Sequence, residues 1–379
     1  MAELVNTKKL NIVMFGQKHT FYREGGVEVV VKELASRMVA QGHTVTCYDR
    51  STSHALGGVA IDNIQEMYGI KIIPVWTIEK KGLAAVTSSI SAAWKASNSS
   101  ADVIHIHAEG PAAMCRFLKK QEKKVIVTIH GLDWKRSKWN RFASTYIKWG
   151  EKQAVKYADE IIVLSHGVQK YFEQEYGIKT TFIPNGVVPH DTLKAKLITE
   201  NWGLEKDSYV LFLGRIVPEK GIRYLVDAWK NIKTEKKLVI VGGSSDTLHF
   251  FNELKEKTKE DNRIIFTGFQ QGKVLEELYS NSYVYCLPSD LEGMPLSLLE
   301  AMSYGNCCLV SDISECAEVV EDKAILFRKS DVNDLERKLQ WLLDNPSVVK
   351  KYRQESANFV NEKYCWDDIV NQTLKLYLK

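Results

Sequence analysis

The feature that most constrains this chain is an alternation, repeated in two halves: short apolar runs of strand length separated by longer stretches of helical period. That is the pattern of βα units laid on parallel sheets. In the first half strands are expected at Leu10–Gly16, Thr44–Arg50, Ile70–Val75, Asp102–His107, Val125–His130, Glu160–Ser165 and Thr181–Pro184. In the second half they are expected at Tyr209–Gly214, Leu238–Gly242, Arg263–Thr267, Tyr283–Pro288, Cys308–Ser311 and Ile325–Arg328. Between the halves lies Val188–Trp202, a polar stretch without strand alternation that follows Asn185-Gly186.

These observations predict an α/β chain of two doubly wound, Rossmann-like domains, residues 1–190 and 191–364. A final helix is expected over Trp366–Lys379, with Val370, Leu374, Tyr377 and Leu378 at helical spacing. A length of 379 residues, beyond what one core usually serves, agrees with two domains. Sheets of this kind bind ligands outside the carboxyl ends of their strands, so the loops there are where chemistry is to be sought.

Composition removes several function classes. The seven cysteines include no CxxC spacing, which predicts reduced thiols and neither a disulfide framework nor a zinc site. The first ten residues are polar and no apolar run approaches the roughly 18–20 residues of a membrane span, so a cytoplasmic chain is expected. A net charge of +4 is too mild to imply nucleic acid.

Three loop segments carry candidate chemistry. After Gly16 a loop reaches Glu24-Gly25-Gly26 and enters a helix with Val27, Val30, Val31, Leu34, Ala35 and Met38 on one face. Gly25 and Gly26 would leave bare N–H groups at the positive end of that helix, able to hold a diphosphate. The competing reading is a tight turn that needs φ > 0. The fingerprint GxGxxG is missing from Gly16-Gln17-Lys18-His19, which speaks against a nicotinamide-dependent oxidoreductase.

The second segment is Gly214-Arg215-Ile216-Val217-Pro218-Glu219-Lys220-Gly221. Arg215 can fork onto two oxygens of a diphosphate and Lys220 can add a point charge, together stabilising the negative charge that grows as a glycosidic bond breaks. Taken alone, the two cations read as solvated loop residues. The third is Leu291-Glu292-Gly293-Met294-Pro295-Leu296-Ser297-Leu298-Leu299-Glu300. Pro295 suits the first turn of a helix, Gly293 leaves backbone donors exposed before it, and Glu292 and Glu300 can accept hydrogen bonds from sugar hydroxyls. Helix capping by Glu292 and an exposed Glu300 is the bland alternative.

Taken together, in this order, the three segments resemble the retaining GT-B glycosyltransferases of family four, and the resemblance covers essentially the whole chain. It implies two Rossmann-like domains facing across a cleft, an N-terminal acceptor domain, a C-terminal donor domain and a terminal helix returning to the first. Arg215 and Lys220 match that family's donor-diphosphate pair, while Glu292 and Glu300 match its two glutamates with seven residues between them. The resemblance further implies that Glu300 holds the ribose and that Glu292 contacts the transferred sugar. Gly25 and Gly26 would lie near the phosphates, and His130 beside the reacting sugar. It implies retention of configuration by a front-face route, with no metal and no bound cofactor beyond the nucleotide-diphosphate sugar. From the residues alone His130 is open to a structural reading, with His105 and His107 as alternatives.

A last segment runs from Asp133 to Trp149 and reads as one helix rich in cations and large aromatics. Trp134, Lys135, Arg136, Lys138, Trp139 and Arg141 form a composition that lies in an anionic lipid interface or meets an acceptor held there. The alternative packs Trp139, Phe142, Tyr146 and Trp149 on the core and turns the cations to water. The run Gly131-Leu132-Asp133-Trp134-Lys135-Arg136 resembles a rhamnosyltransferase-like subgroup that builds bacterial surface polysaccharides on lipid-diphosphate-linked sugars. The expectation is therefore a peripheral enzyme of capsule, O-antigen or exopolysaccharide assembly. A transferase with a soluble acceptor and a non-catalytic nucleotide-sugar-binding module are the other readings.

Overall fold

The computed structural model describes residues 8–22, 25–51, 63–80, 82–136, 139–243 and 248–379. It divides into two compact units, one built from Met1–Lys135, Trp139–Asn185 and Trp366–Lys379, the other from Arg136–Lys138 and Gly186–Cys365.

The first unit holds β1 (Asn11–Phe15), β2 (Thr44–Arg50), β3 (Gln65–Met67), β4 (Ile70–Val75), β5 (Val103–His107), β6 (Lys124–Ile129), β7 (Glu160–Val163) and β8 (Thr181–Phe182). They form one sheet in the order β3-β4-β2-β1-β5-β6-β7-β8, parallel except at β3–β4. Every expected strand is present within two residues of its bounds. The unexpected one, β3, is three polar-flanked residues without an apolar run. It is held as a hairpin by Tyr68-Gly69, both at positive φ (50° and 74°), the geometry of a two-residue primed turn.

In the second unit β9 (Tyr209–Leu213), β10 (Lys237–Val241), β11 (Ile264–Gly268), β12 (Val284–Leu287), β13 (Cys308–Ser311) and β14 (Ile325–Phe327) form an all-parallel sheet. Its order is β11-β10-β9-β12-β13-β14. Numbered from its own first strand this is 3-2-1-4-5-6, and the direction of winding reverses between β9 and β12. Such sheets are buried on both faces and read as continuous Val/Ile/Leu runs, as Tyr209–Leu213 and Lys237–Val241 do.

The boundary falls at Asn185/Gly186, five residues before the expected division at 190. The polar stretch belongs to the second unit because its backbone is satisfied there. The N–H groups of Lys196 and Ile198 both donate to the Glu277 carboxylate, at 2.9 and 3.1 Å, and that of Leu193 donates to the Ser280 hydroxyl.

The terminal helix Trp366–Leu378 belongs to the first unit although the whole second unit precedes it. Trp366, Ile369, Val370, Leu374 and Tyr377 are buried. The Tyr377 hydroxyl meets His105 Nδ1 at 2.5 Å, and Lys124 Nζ donates to the Tyr377 carbonyl at 2.8 Å.

Candidate functional site

In a sheet wound outward from its centre, the two central strands send their loops in opposite directions and leave a crevice at their carboxyl ends. In the second unit the loops in question follow β9 and β12, and these are the two segments that carry Arg215, Lys220 and Glu292.

Backbone constraints place both loops. Gly221 has φ +65°, and a Cβ there would lie 1.8 Å from the Pro288 carbonyl oxygen, so the loop after β9 rests against the end of β12. Gly242, at φ +144°, would likewise drive a Cβ to 1.8 Å from the Gly214 carbonyl oxygen. The Asp290 N–H closes the contact by donating to the Glu219 carbonyl at 2.8 Å.

The side chains then meet. Lys220 Nζ donates to Glu292 Oε1 at 2.6 Å, and the Ser289 hydroxyl donates to the same oxygen at 2.6 Å. Both partners are largely shielded, with 14% and 8% of their side chains exposed, so the ion pair works at lower effective dielectric than a surface pair. Arg215 lies in the loop after β9, one residue beyond Gly214. Glu300 sits one turn into the helix Leu296–Ser303 and accepts from the Tyr279 hydroxyl at 2.9 Å. Tyr285 lies within the field of both carboxylates. Burial raises its pKa well above the ordinary phenol, Ser297 opposes this by hydrogen bonding, and Cys308, Glu292 and Glu300 add to the rise.

The bland readings of the two glutamates are thus displaced: Glu292 is paired rather than capping, and Glu300 is bonded rather than solvated. Pro295 is a correction. It stands at the N-cap with ψ 102°, one position before the first helical turn, and Gly293 and Met294 are buried beside it. Leu296 opens the helix. Ser289 and Tyr279 are the residues that sequence reasoning missed. Neither carries a local signal, because each matters only through a partner brought to it by the fold.

In the first unit the equivalent switch lies between β1 and β5. Gly16, at φ +120°, would place a Cβ 2.0 Å from the His107 carbonyl oxygen, so the loop after β1 presses on the end of β5. Asp49 pins that loop by accepting from Thr20 N and Oγ1, both at 2.7 Å, and from Gln17 Nε2 at 3.0 Å. Gly25 caps the helix Gly26–Ala40 with φ −170°, and neither Gly25 nor Gly26 has positive φ, so the tight-turn reading fails. Gly25 itself has no side chain to cap that helix. Glu24 and Lys138 lie outside the described residues.

The histidines separate into two roles. His105 is fully buried and uses both ring nitrogens, on Tyr377 and on Thr128 Oγ1 at 2.7 Å; burial, then the charge of His130, lowers its pKa to about 3. It is a structural residue. His107, also buried, is held well below the ordinary imidazole by burial and by its two neighbours, and its Nδ1 lies 3.0 Å from His130 Nε2. His130 follows β6, before Gly131 at φ +134°. Among the described residues no three His, Cys, Asp or Glu side chains cluster as metal ligands.

The basic aromatic segment differs from expectation. It is not one helix but a 3₁₀ turn over Asp133–Lys135 followed by the helix Arg141–Tyr157, which Asn140 caps by accepting from Ala143 N at 2.9 Å. Trp134 does not face outward. Its Nε1 donates to the buried Glu151 carboxylate at 3.2 Å, and the ammonium groups of Lys148 and Lys135 lie over its ring. Glu151 also accepts from the hydroxyls of Tyr171 and Tyr176 and pairs with Lys148. The core-packing alternative fails, since Phe142 and Trp149 are exposed. Trp139 is half-buried, and Arg141 is exposed beside Phe142.

Two sheets of this winding, with cations and carboxylates converging on the crevice of the second, are built as in a nucleotide-sugar-dependent transferase of the GT-B class. Comparison with known families makes this specific. One family model, glycosyltransferase family 4, matches residues 24–191, and another, glycosyl transferases group 1, matches residues 196–359. Between them they span most of the chain, which belongs to these glycosyltransferases. It is 28% identical over 257 residues to the UDP-Gal:α-D-GlcNAc-diphosphoundecaprenol α-1,3-galactosyltransferase of Escherichia coli, an overlap of 61% of this chain and 64% of that protein. It is 23% identical to the N-acetyl-α-D-glucosaminyl L-malate synthase of Bacillus anthracis over 93% of both chains. Matches to the first curated relatives cover between 45% and 66% of their own length. Sucrose-phosphate synthase from Thermosynechococcus elongatus has the same fold, with a TM-score of 0.82 over 97% of this chain and 98% of that one at 21% identity.

Proposed function

We propose that this glycosyltransferase moves a hexosyl or deoxyhexosyl group from a nucleotide-diphosphate sugar to a hydroxyl of a lipid-diphosphate-linked saccharide, in assembly of a bacterial surface polysaccharide. The observation that carries the donor half is the Lys220–Glu292 ion pair in the crevice between β9 and β12, with Glu300 on the helix beyond. Arg215 and Lys220 take the diphosphate, Glu300 the ribose hydroxyls and Glu292 the transferred sugar. Gly25, Gly26, Gly293, Met294, Pro295 and Leu296 bring backbone close to the donor, and His130 stands beside the reacting sugar.

In the reaction the bond from the anomeric carbon to the phosphate oxygen breaks and its electrons stay on the diphosphate. The acceptor oxygen bonds to the same carbon, and its proton passes to the departing phosphate. Arg215 and Lys220 stabilise the charge that develops there, so no metal is required, and attack from the leaving-group side retains configuration.

The lipid-linked acceptor and a peripheral place on the cytoplasmic face of the membrane rest on the named substrate of the E. coli relative and on the exposed aromatics of the first unit. A soluble acceptor is the second reading, favoured by the malate-glycosylating relative that aligns along 93% of both chains. Assay with radiolabelled nucleotide sugars and membrane lipid extract separates them. Label entering the organic phase, undiminished by a chelator, supports the proposal; label remaining only in water-soluble product overturns the lipid-linked acceptor.

A further inference from the structure

Three imidazoles meet toward the carboxyl ends of β5 and β6. His105 and His107 stand two apart on β5, so both side chains leave the same face of the sheet, and their rings lie 4.1 Å apart at 33°. His130 is the first residue after β6, the strand that sets Thr128 opposite His107. Its ring lies 5.3 Å from that of His107. The backbone of His107 has no room to shift. Gly16 covers its carbonyl so closely that a Cβ there would lie 2.0 Å from the oxygen, and the Ala108 N–H beyond it donates to the Thr128 carbonyl at 2.9 Å.

The hydrogen bonds assign the protons. His107 Nδ1 and His130 Nε2 are 3.0 Å apart, so one of the two carries the hydrogen between them. His107 is fully buried, and burial with the charges of His105 and His130 keeps its ring neutral, with a single proton. Its Nε2 is buried and meets no hydrogen-bonding group among the described residues. A proton there would be a donor stripped of water with nothing to accept it. On Nδ1 the same proton is bonded to His130, and Nε2 is left as a bare lone pair, a rarer problem for a core than an unmet N–H is. His107 therefore donates and His130 accepts. With its Nε2 accepting, His130 can carry a proton only on Nδ1. His105 takes no part in this bond, because both its nitrogens are used by Tyr377 and Thr128, and it serves as the plate against which His107 stacks.

We propose that His107 is a positioning residue for the transfer reaction: by donating from Nδ1 to His130 Nε2 it fixes His130 as a hydrogen-bond donor, presenting Nδ1–H to an oxygen of the bound sugar rather than acting as a base. The inference rests on the reading of His130 as the residue beside the reacting sugar, and His130 is half-buried, open to such a contact. It agrees with a route in which the acceptor proton leaves on the departing phosphate. A histidine whose Nε2 already accepts and whose Nδ1 is protonated has no lone pair left to take that proton.

Nitrogen NMR of the full chain carrying isotopically labelled histidine reads the tautomers directly, with His107→Phe and His130→Phe supplying the assignments. Both rings should show a protonated Nδ1 and a bare Nε2. A proton on Nε2 of either residue would overturn the proposal, and this readout needs no substrate. Activity tests the consequence. His107→Phe keeps a ring against His105 but has no donor, so kcat should fall about tenfold with nucleoside-diphosphate affinity unchanged. His107→Asn sets an amide donor near the place of Nδ1 and should recover most of that loss. Wild-type kcat in the Phe variant, or equal losses in two folded variants, would show that His107 only fills space. A wild type that turns over no nucleotide sugar would count against the transferase reading, while the tautomers would still decide the role of His107.

Discussion

Lys220 and Glu292 are 72 residues apart in sequence and meet at 2.6 Å, each delivered by the loop after one of the two central strands of the second sheet. The pairing holds the lysine ammonium at a fixed point in the crevice before any donor arrives. A preorganised charge of this kind costs no reorganisation when negative charge develops on a leaving group. Replacing Lys220 by Ala should therefore lower kcat at least tenfold, about 1.4 kcal/mol of lost transition-state stabilisation. Steady-state rates with a saturating donor check this, and a wild-type rate would remove Lys220 from the mechanism.

Tyr279 holds the carboxylate of Glu300, the residue proposed to take the donor ribose. Its hydroxyl donates to Oε2 at 2.9 Å from a stack in which its ring lies 5.2 Å from that of Tyr304. A hydrogen bond to a charged group contributes about 1.5–3 kcal/mol. Tyr279→Phe should raise the donor KM about tenfold with kcat nearly unchanged, because the carboxylate would be present but no longer held. An equal fall in kcat would show that the tyrosine serves the chemical step instead.

Gly221 offers a backbone test. Any side chain there combines φ +65° with a Cβ 1.8 Å from a carbonyl oxygen that belongs to the end of β12. Gly221→Ala should cost about 2 kcal/mol or more of stability and weaken nucleotide binding, since the two loops would be forced apart. Chemical denaturation and titration calorimetry on one preparation would measure both. A variant of wild-type stability would mean that the two loops are not in contact.

Buried Glu109 gives a pH dependence of definite sign. Burial, then the charge of Asp133 and its interactions with Glu151, raise its pKa well above the ordinary carboxylate, and the Asp133 N–H donating at 2.8 Å opposes them. The folded chain keeps a proton that the unfolded chain releases above about pH 4.5, so this group's contribution to stability is full below that pH and falls as pH rises toward the folded pKa. Glu109→Gln carries no such proton. Its unfolding free energy relative to wild type should climb as pH rises above about 4.5, by up to about 1.4 kcal/mol per pH unit. Parallel curves would show that Glu109 is ionised in the folded chain.

The parallel sheets were legible because buried strands of this class announce themselves as apolar runs, and thirteen such runs map onto β1, β2 and β4 through β14. Strand β3 was not, since Gln65–Met67 is held by a turn and an edge rather than by burial. The loops that line the second sheet's crevice were legible through their motifs, but the partnership of Lys220 with Glu292 and of Tyr279 with Glu300 was not, because contact across so many residues depends on strand order. The basic aromatic segment misled in the opposite direction. Helical spacing left burial of Phe142 and Trp149 open as the alternative, whereas the fold turned both outward and spent Trp134 on a carboxylate in the core.

The second sheet's crevice is proposed as a nucleotide-sugar site. Titration calorimetry of UDP, GDP, dTDP and their sugar conjugates into the wild type and into Glu300→Ala tests it most directly. Saturable binding selective for one nucleoside diphosphate is expected in the wild type, weakened at least tenfold by the substitution. Binding that ignores Glu300, or selective binding of NAD in place of any nucleoside diphosphate, would contradict it.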